Sequence, residues 1–339
     1  MSTSATPARP PRMAEVAQLA GVSHQTVSRV LNDYAGVRPE TRRRVMAAVE
    51  ALGYRRNTAA RLLASSRSQM IGVVTYGTAQ YGPASVILGL QEAVRRTPYD
   101  LTIVGVQDFT SESFRSAVDH LLERSVECLV LVVPHRSVLR WSRELELGVP
   151  VVTVEGDLSE LPLTAGVDQL AGARMATEHL LELGHETVVH LAGPQDWSEA
   201  VARRDGWRAQ LEESGRPVPP LRWGGDWSAR SGYETGRSLA REPDVTAVFA
   251  ANDQMALGLM HALREAGRRV PEDVSVVGFD DLPEAGYFAP PLTTVRQDFA
   301  ELGRRAMGLV QRVLEGEQAA AVPLVPPSLV VRGSTRSPR

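Results

Sequence analysis

Apolar positions over residues 13–31 recur at helical spacing on both sides of a short break. Val16, Ala17, Leu19 and Ala20 form one stripe and Val27, Val30 and Leu31 another, with Gly21-Val22-Ser23 between them. The pattern predicts two short helices joined by a three-residue turn, a helix-turn-helix. Gly21 suits the left-handed end of the first helix, and the Ser23 hydroxyl can accept an unpaired backbone N–H at the start of the second. A third helix is predicted from about Pro39 to Leu52, with an apolar stripe of Val45, Ala48, Val49 and Leu52 and with Gly53 as its stop. The Asn57–Leu63 stretch holds helix formers for only a turn or two, too short for a stable isolated helix, before Ser65, Ser66 and Ser68 loosen the chain.

Beyond that point, short apolar runs alternate with amphipathic stretches. Strands are predicted at Met70–Val74, Leu101–Val106, Cys128–Val133 and Val151–Val154, then at Thr187–Leu191, Ala247–Ala250 and Val274–Phe279. Helices are predicted at Val86–Arg96, Arg115–Glu123, Gly172–Leu183, Ala200–Glu213, Gly232–Leu239 and Gln254–Ala266. Strand–helix alternation implies parallel sheets covered by helices, and two such series imply two similar subdomains with a cleft between them. Parallel sheets bind ligands beyond the carboxyl ends of their strands. Glu155, Asn252, Asp253, Asp280 and Asp281 fall there, Arg203 and Trp207 lie on the helix after Leu191, and Trp227 sits in the loop GGDWSARSG. Carboxylates, an amide, an arginine fork and flat aromatic faces are what a sugar requires. Singly, each residue type is more often a cap, an ion pair or core.

Charge separates the two halves. The chain carries a formal net charge of −3, yet up to Ser68 it has eleven arginines against four acids. A basic head on an acidic body is the footprint of nucleic-acid binding. His24, Gln25, Ser28 and Arg29 occupy the outward face of the second helix, where they can reach base edges and phosphates. Arg42, Arg43 and Arg44 on the third helix are either a phosphate-facing patch or a solvated face.

Other features exclude classes. There is no apolar signal segment and no run of the roughly 20 apolar residues a membrane span needs, so a cytoplasmic protein is expected. The single cysteine, Cys128, reads as a buried small hydrophobe, and the seven histidines show no metal-ligand spacing. No phosphate loop, nucleophile elbow or dinucleotide fingerprint is present, so no cofactor and no catalysis are expected. Glu155 and Asp280 could in principle be the carboxylate pair of a glycosidase, but their strands belong to different subdomains.

From Met13 onward the chain resembles the lac repressor family of transcriptional regulators. The likeness is closest over LAGP (191–194), GDWSARSG (225–232), ANDQMALG (251–258), SVVGFDD (275–281) and PPLTTVRQDF (290–299). It implies an N-terminal all-α helix-turn-helix DNA-binding domain plus an α/β periplasmic-binding-protein-like body of two doubly wound parallel-sheet subdomains. The implied layout is a tail at 1–11, the DNA-binding domain at 12–57, a hinge helix and linker at 58–68, an effector-binding and dimerisation domain at 69–333, and a tail at 334–339. Within the body, one subdomain takes about 69–164 and 296–323, the other about 165–295 and 324–333, with crossovers near Thr164, Val295 and Pro323.

The resemblance also assigns residues. Two-fold symmetric operator DNA would be read by His24, Gln25 and Arg29, with Ser23, Ser28 and Asn32 near phosphates. Asn57, Ala60 and Leu63 would lie in a hinge that orders on DNA, Leu63 wedging the minor groove. Arg203, Asn252 and Asp280 would hold a sugar effector, with Trp227 stacking and Glu155, Gln297 and Phe299 completing the pocket. Tyr76, Gln80 and Val167 depart from the family pattern on the aglycone side. A homodimer is expected, since terminal leucine heptads are absent, and a β-galactoside is the expected inducer. A β-glucoside such as cellobiose, or a purine-type co-repressor, remains open.

Overall fold

The computed structural model describes residues 9, 11–31, 33–54, 67–76, 80–132, 135, 137, 141, 147–155, 163–317 and 322–338. The chain divides into two compact units, Met1–Arg67 and Ser68–Arg339.

The first unit holds helices α1 (Met13–Ala20), α2 (His24–Leu31) and α3 (Pro39–Leu52). Gly21 ends α1 at φ 61°, and Gly53 ends α3 at φ 60°, backbone angles that a residue with a Cβ adopts only with strain. Ser23 accepts the Thr26 N–H at 3.1 Å and so caps α2. Val16, Ala17, Ala20, Val27, Val30, Leu31, Val45, Ala48 and Tyr54 form the core. Leu19, expected in that stripe, is 57 % exposed, because Val16, Ala17 and Ala20 already define the buried face of this short helix. The arginine run on α3 is divided in its roles. Arg42 donates to Asp33 at 2.6 Å and to the Tyr34 carbonyl at 3.1 Å, and Arg44 donates to the carbonyls of Ala20 and Gly21 at 2.5 and 3.2 Å. Two of the three cations therefore tie α3 to carbonyls just beyond or at the ends of α2 and α1, and Arg43 stays exposed. Asn32, Asn57, Ala60 and Leu63 lie outside the described residues.

The second unit contains two sheets. In the first lobe β1 (Met70–Tyr76), β2 (Asp100–Val106), β3 (Cys128–Val132), β4 (Val151–Val154) and β5 (Thr164–Ala165) run parallel in the order β2-β1-β3-β4-β5. Helix α4 (Tyr81–Val94) and helix α10 (Phe299–Leu314) cover one face, and α5 (Ser111–Leu122) the other. Alternation explains the split: Cys128, Val130 and Val132 enter one core while Leu129 and Leu131 enter the other. Burial pushes the Cys128 thiol up to about 12. Helices α4 and α10 cross backbone to backbone, and a Cβ at Gly89 would lie 2.2 Å from the Phe299 carbonyl oxygen.

The second lobe has strands β6 (Val189–Ala192), β7 (Trp223–Gly224), β8 (Ala247–Ala250), β9 (Ser275–Asp280), β10 (Thr293–Arg296) and β11 (Ser328–Val330) in the order β11-β10-β9-β8-β6-β7. Only β11 is antiparallel to its neighbour. Helices α6 (Gln169–Glu182) and α7 (Ser198–Glu213) pack on one face. Helices α8 (Ala229–Leu239) and α9 (Asp253–Glu265) pack on the other. Trp207 belongs to the core under α6 and α7: it is 1 % exposed and its indole N–H donates to the Val188 carbonyl at 2.8 Å.

The chain passes between lobes after β5, after β10 and before β11, where Val167 bridges Val325. Strands β5, β7, β10 and β11 and helix α10 were not among the elements predicted from sequence. The segment from 334 was expected to trail away and does not. Ser334 is fully buried, donates to the Val276 carbonyl at 2.6 Å and accepts the Thr293 N–H at 2.8 Å, which straps the end of the chain across β9 and β10. No helix among the described residues is long and apolar enough to cross a membrane.

Candidate functional site

On the first unit, His24, Gln25 and Arg29 share an exposed face of α2 and Ser28 is half-buried beside them. The Arg29 guanidinium lies 5.5 Å from the Tyr34 ring centroid, a contact that limits its swing without using its hydrogen-bond donors. Ser23 is spent on its helix cap.

On the second unit, polar groups converge where the strand ends of both lobes meet. Arg203 on α7 is 4 % exposed. Its Nε donates to Gln169 at 2.9 Å, one terminal nitrogen donates to the Ala251 carbonyl at 2.5 Å, and the other lies 3.5 Å from Asp280. The guanidinium also sits 3.8 Å from the Phe279 ring centroid, so its face is fixed as well as its edge. Gln297 donates to Asp280 at 2.7 Å, Gln169 donates to Gln297 at 2.8 Å and to Glu155 at 3.3 Å, and Glu155 accepts the Val167 N–H at 3.1 Å. One continuous chain of hydrogen bonds thus runs from Glu155 at the end of β4, through the crossover segments, to Asp280 at the end of β9.

Strain marks the same places. Glu155 at φ 58°, Trp227 at φ 74° and Asp280 at φ 111° are non-glycine residues in left-handed backbone, each at or near a strand end of the cleft. Burial is the dominant influence on the carboxyls. It raises Glu155 to about 7, against the pull of Arg203 and the Val167 N–H, and raises Asp280 to about 6, against the pull of Arg203. Both groups hold protons in the folded protein at pH values where they have lost them in the unfolded chain. Their effect on stability is therefore greatest in acid and fades as pH rises from the ordinary carboxylate range toward 7. His190, lowered to about 4 by burial, acts in the opposite direction. Glu155→Gln is accordingly expected to flatten the fall in melting temperature between pH 5 and 7.5 relative to the parent. Each tenfold difference in proton affinity between folded and unfolded chain is worth about 1.4 kcal/mol. Unchanged slopes in paired thermal scans would contradict this assignment.

Two adjoining cavities of about 50 and 40 Å³ open on this network and share Gly82, Pro83, Glu199 and Arg203. Gln80, Tyr81, Trp197, Trp227, Asn252, Gln254 and Asp280 line the first, and Val86, Val132, Val154, Glu155, Gln169, Gln297 and Phe299 the second. Hollows of about 180 and 490 Å³ elsewhere on this unit lie away from the carboxyl ends of the strands and have no orphaned buried polar atom in their walls.

Of the residues expected at an effector, Gln80, Glu155, Arg203, Trp227, Asn252, Asp280, Gln297 and Phe299 line these cavities. Tyr76 does not. Its ring lies 3.9 Å from that of Phe109 and 6.1 Å from that of Trp197, in an aromatic cluster joining the lobes. Val167 contributes its backbone to Glu155. The Asn252 side chain caps α9 through the Met255 N–H at 2.9 Å and donates to the Trp227 carbonyl at 3.0 Å, so it holds the tryptophan loop. Gln169, Trp197 and Glu199 escaped sequence reading. Gln169 precedes the predicted helix, and Trp197 and Glu199 fall between the predicted strand and helix, where periodicity carries no signal.

Residues 12–57 match the family described as bacterial regulatory proteins, lacI family, and residues 177–335 match a periplasmic binding protein-like domain. The chain is 34 % identical over 333 residues to the lactose operon repressor of Escherichia coli K12, covering 97 % of this chain and 92 % of that protein. It is 36 % identical over 333 residues to the HTH-type transcriptional regulator CelR of Thermobifida fusca, covering 94 % and 96 %. Against the HTH-type transcriptional repressor PurR of Haemophilus influenzae PittEE the identity is 32 % over 336 residues, covering 95 % and 98 %. Among solved structures, the lac repressor dimer bound to operator and the anti-inducer ONPF superposes with a TM-score of 0.86 at 34 % identity, covering 97 % of this chain and all of that one. The complex of the regulator CelR with cellobiose superposes at 0.71 with 34 % identity, covering 96 % and 99 %.

Proposed function

We propose, from the premise that this chain belongs to the lacI family of bacterial regulatory proteins, that the ligand governing it is a β-linked glycoside of the cellobiose type. The chain is a transcriptional repressor regulated by a small molecule, and not an enzyme. The finer reading is that a homodimer places two helix-turn-helix heads on a two-fold symmetric operator and that the glycoside releases it.

The observation that carries the sugar reading is the hydrogen-bond chain from Glu155 through Gln169 and Gln297 to Asp280 and Arg203, flanked by Trp197 and Trp227. Buried carboxylates and amides in series can pair vicinal hydroxyls, and indole faces take the C–H side of a pyranose. A galactoside draws on the same groups, and the likeness to the lactose operon repressor speaks for it. The cellobiose type is favoured by the regulator solved with cellobiose, and by Gln80 in the cavity wall, a polar side chain where the family pattern has an apolar one.

The cavities are far smaller than the several hundred Å³ that usually hold a ligand of this size. A disaccharide entering there parts the lobes, and the shared hydrogen-bond chain makes that movement felt at all three crossovers. Release then follows from differential affinity, each tenfold preference for the parted state contributing about 1.4 kcal/mol per site.

The test is fluorescence anisotropy on a labelled palindrome from upstream of the gene, titrated with cellobiose, lactose, allolactose, galactose and guanine. Release by cellobiose supports the reading, and release by lactose or allolactose alone moves the sugar to a galactoside. Tighter binding with guanine would replace release by co-repression, the behaviour that likeness to the purine repressor allows.

A further inference from the structure

Glu199, near the start of α7, stands out among the carboxylates of the cleft. Glu155 has two hydrogen-bond donors, and Asp280 has Gln297 and the nearby Arg203. The Oε2 of Glu199 is fully enclosed and has no partner. A buried acceptor left in this state costs free energy that only a donor can recover, so its place in the wall of both cavities matters. Two further orphans line the same space: the Oε1 of Gln80 from the opposite lobe, and the indole Nε1 of Trp227, a residue nine-tenths buried. The cleft therefore holds, before any ligand enters, two unmet acceptors on opposite walls and one unmet donor.

We propose that Glu199 is a specificity-determining effector contact whose Oε2 accepts a hydrogen bond from a ligand hydroxyl, so that the cleft takes a glycoside bearing a donor at that point. This rests on the glycoside reading above. The geometry is that of a wedge: Gln80 belongs to the first lobe and Glu199 and Trp227 to the second, so one polyhydroxylated ring satisfying all three spans the lobes. An apolar group placed against Glu199 leaves that buried oxygen unpaired and is rejected, which is how a site built on hydrogen bonds discriminates. Arg203, one turn further along α7, holds the charge balance of the cavity but directs its hydrogen bonds to Gln169 and the Ala251 carbonyl rather than to Glu199.

The experiment is titration calorimetry of the full-length protein and of Glu199→Gln and Glu199→Ala with cellobiose and lactose. Circular dichroism of each variant reports its fold. For whichever sugar binds the parent, Glu199→Ala is expected to weaken binding at least about tenfold, and Glu199→Gln, which keeps an acceptor, by a smaller factor. A folded Glu199→Ala protein that binds that sugar within twofold of the parent overturns the assignment and leaves the repressor reading intact. If neither sugar binds the parent while guanine does, the glycoside reading and this contact fall together.

Discussion

Arg203→Met is expected to give a protein that keeps its operator at effector concentrations that fully release the parent. The guanidinium makes two hydrogen bonds, faces Asp280 at 3.5 Å and rests on the Phe279 ring, so methionine restores volume and none of the polar contacts. Breaking a buried ion pair costs about 3–5 kcal/mol when the remaining charge is left alone, and a comparable loss in binding is a hundredfold or more. The stability cost has a built-in relief. Asp280 already sits at about 6, and without the cation it takes up a proton more readily still. The destabilisation is therefore expected to be small near pH 5 and large near pH 8, because only at the higher pH is a proton scarce. Adding Asp280→Asn to Arg203→Met should recover thermal stability at pH 8 without recovering effector response, which separates the fold's need for the pair from the ligand's. Arg203→Lys keeps the charge but loses the fork and the ring stack, and is expected to respond poorly too. Normal release in Arg203→Met would place the effector elsewhere.

Much of this architecture was legible in the chain because the physics is local. Continuous apolar runs such as Cys128–Val132 and Ala247–Ala250 state burial on both faces directly, and the observed strands agree with them closely. Gly21, Ser23 and Gly53 announced helix ends for reasons of backbone angle and unpaired N–H groups. The elements that were missed draw their stability from distant partners. Strand β11 exists because it pairs antiparallel with β10, and the Ser334 strap exists because β9 and β10 present a carbonyl and an N–H to it. Helix α10 follows a crossover, in a stretch that strand–helix counting does not reach. At the site, residue type pointed to strand-end carboxylates and Arg203, which line the cavities, but Glu199 and Gln169 acquire meaning only from what surrounds them. One has an oxygen without a partner and the other has three partners: two side chains that it donates to and the Arg203 Nε that it accepts. Tyr76 shows the converse. The resemblance put it on the aglycone side of the pocket, and the ring packs against Phe109 instead.

The second large effect is expected on DNA, and the arginines of the head divide it into three separable outcomes. Gln25→Ala and Arg29→Ala remove exposed donors from the outward face of α2, so each should weaken specific operator binding by about 1–3 kcal/mol, roughly fivefold to somewhat over a hundredfold, while leaving binding to unrelated DNA nearly unchanged. Arg43→Ala removes an exposed cation with no structural task, and is expected to weaken all DNA alike and to reduce the salt slope by about one. Arg44→Ala belongs to neither class. Its guanidinium satisfies the Ala20 and Gly21 carbonyls where α1 gives way to the turn, so its loss should lower the melting temperature of the head before it alters any contact with DNA. Anisotropy on operator and scrambled duplexes at several salt concentrations, paired with thermal unfolding, distinguishes the three. If Arg29→Ala lowered affinity for both duplexes equally, α2 would be a phosphate-binding surface rather than the reading helix. The base contacts would then have to come from another element of the head.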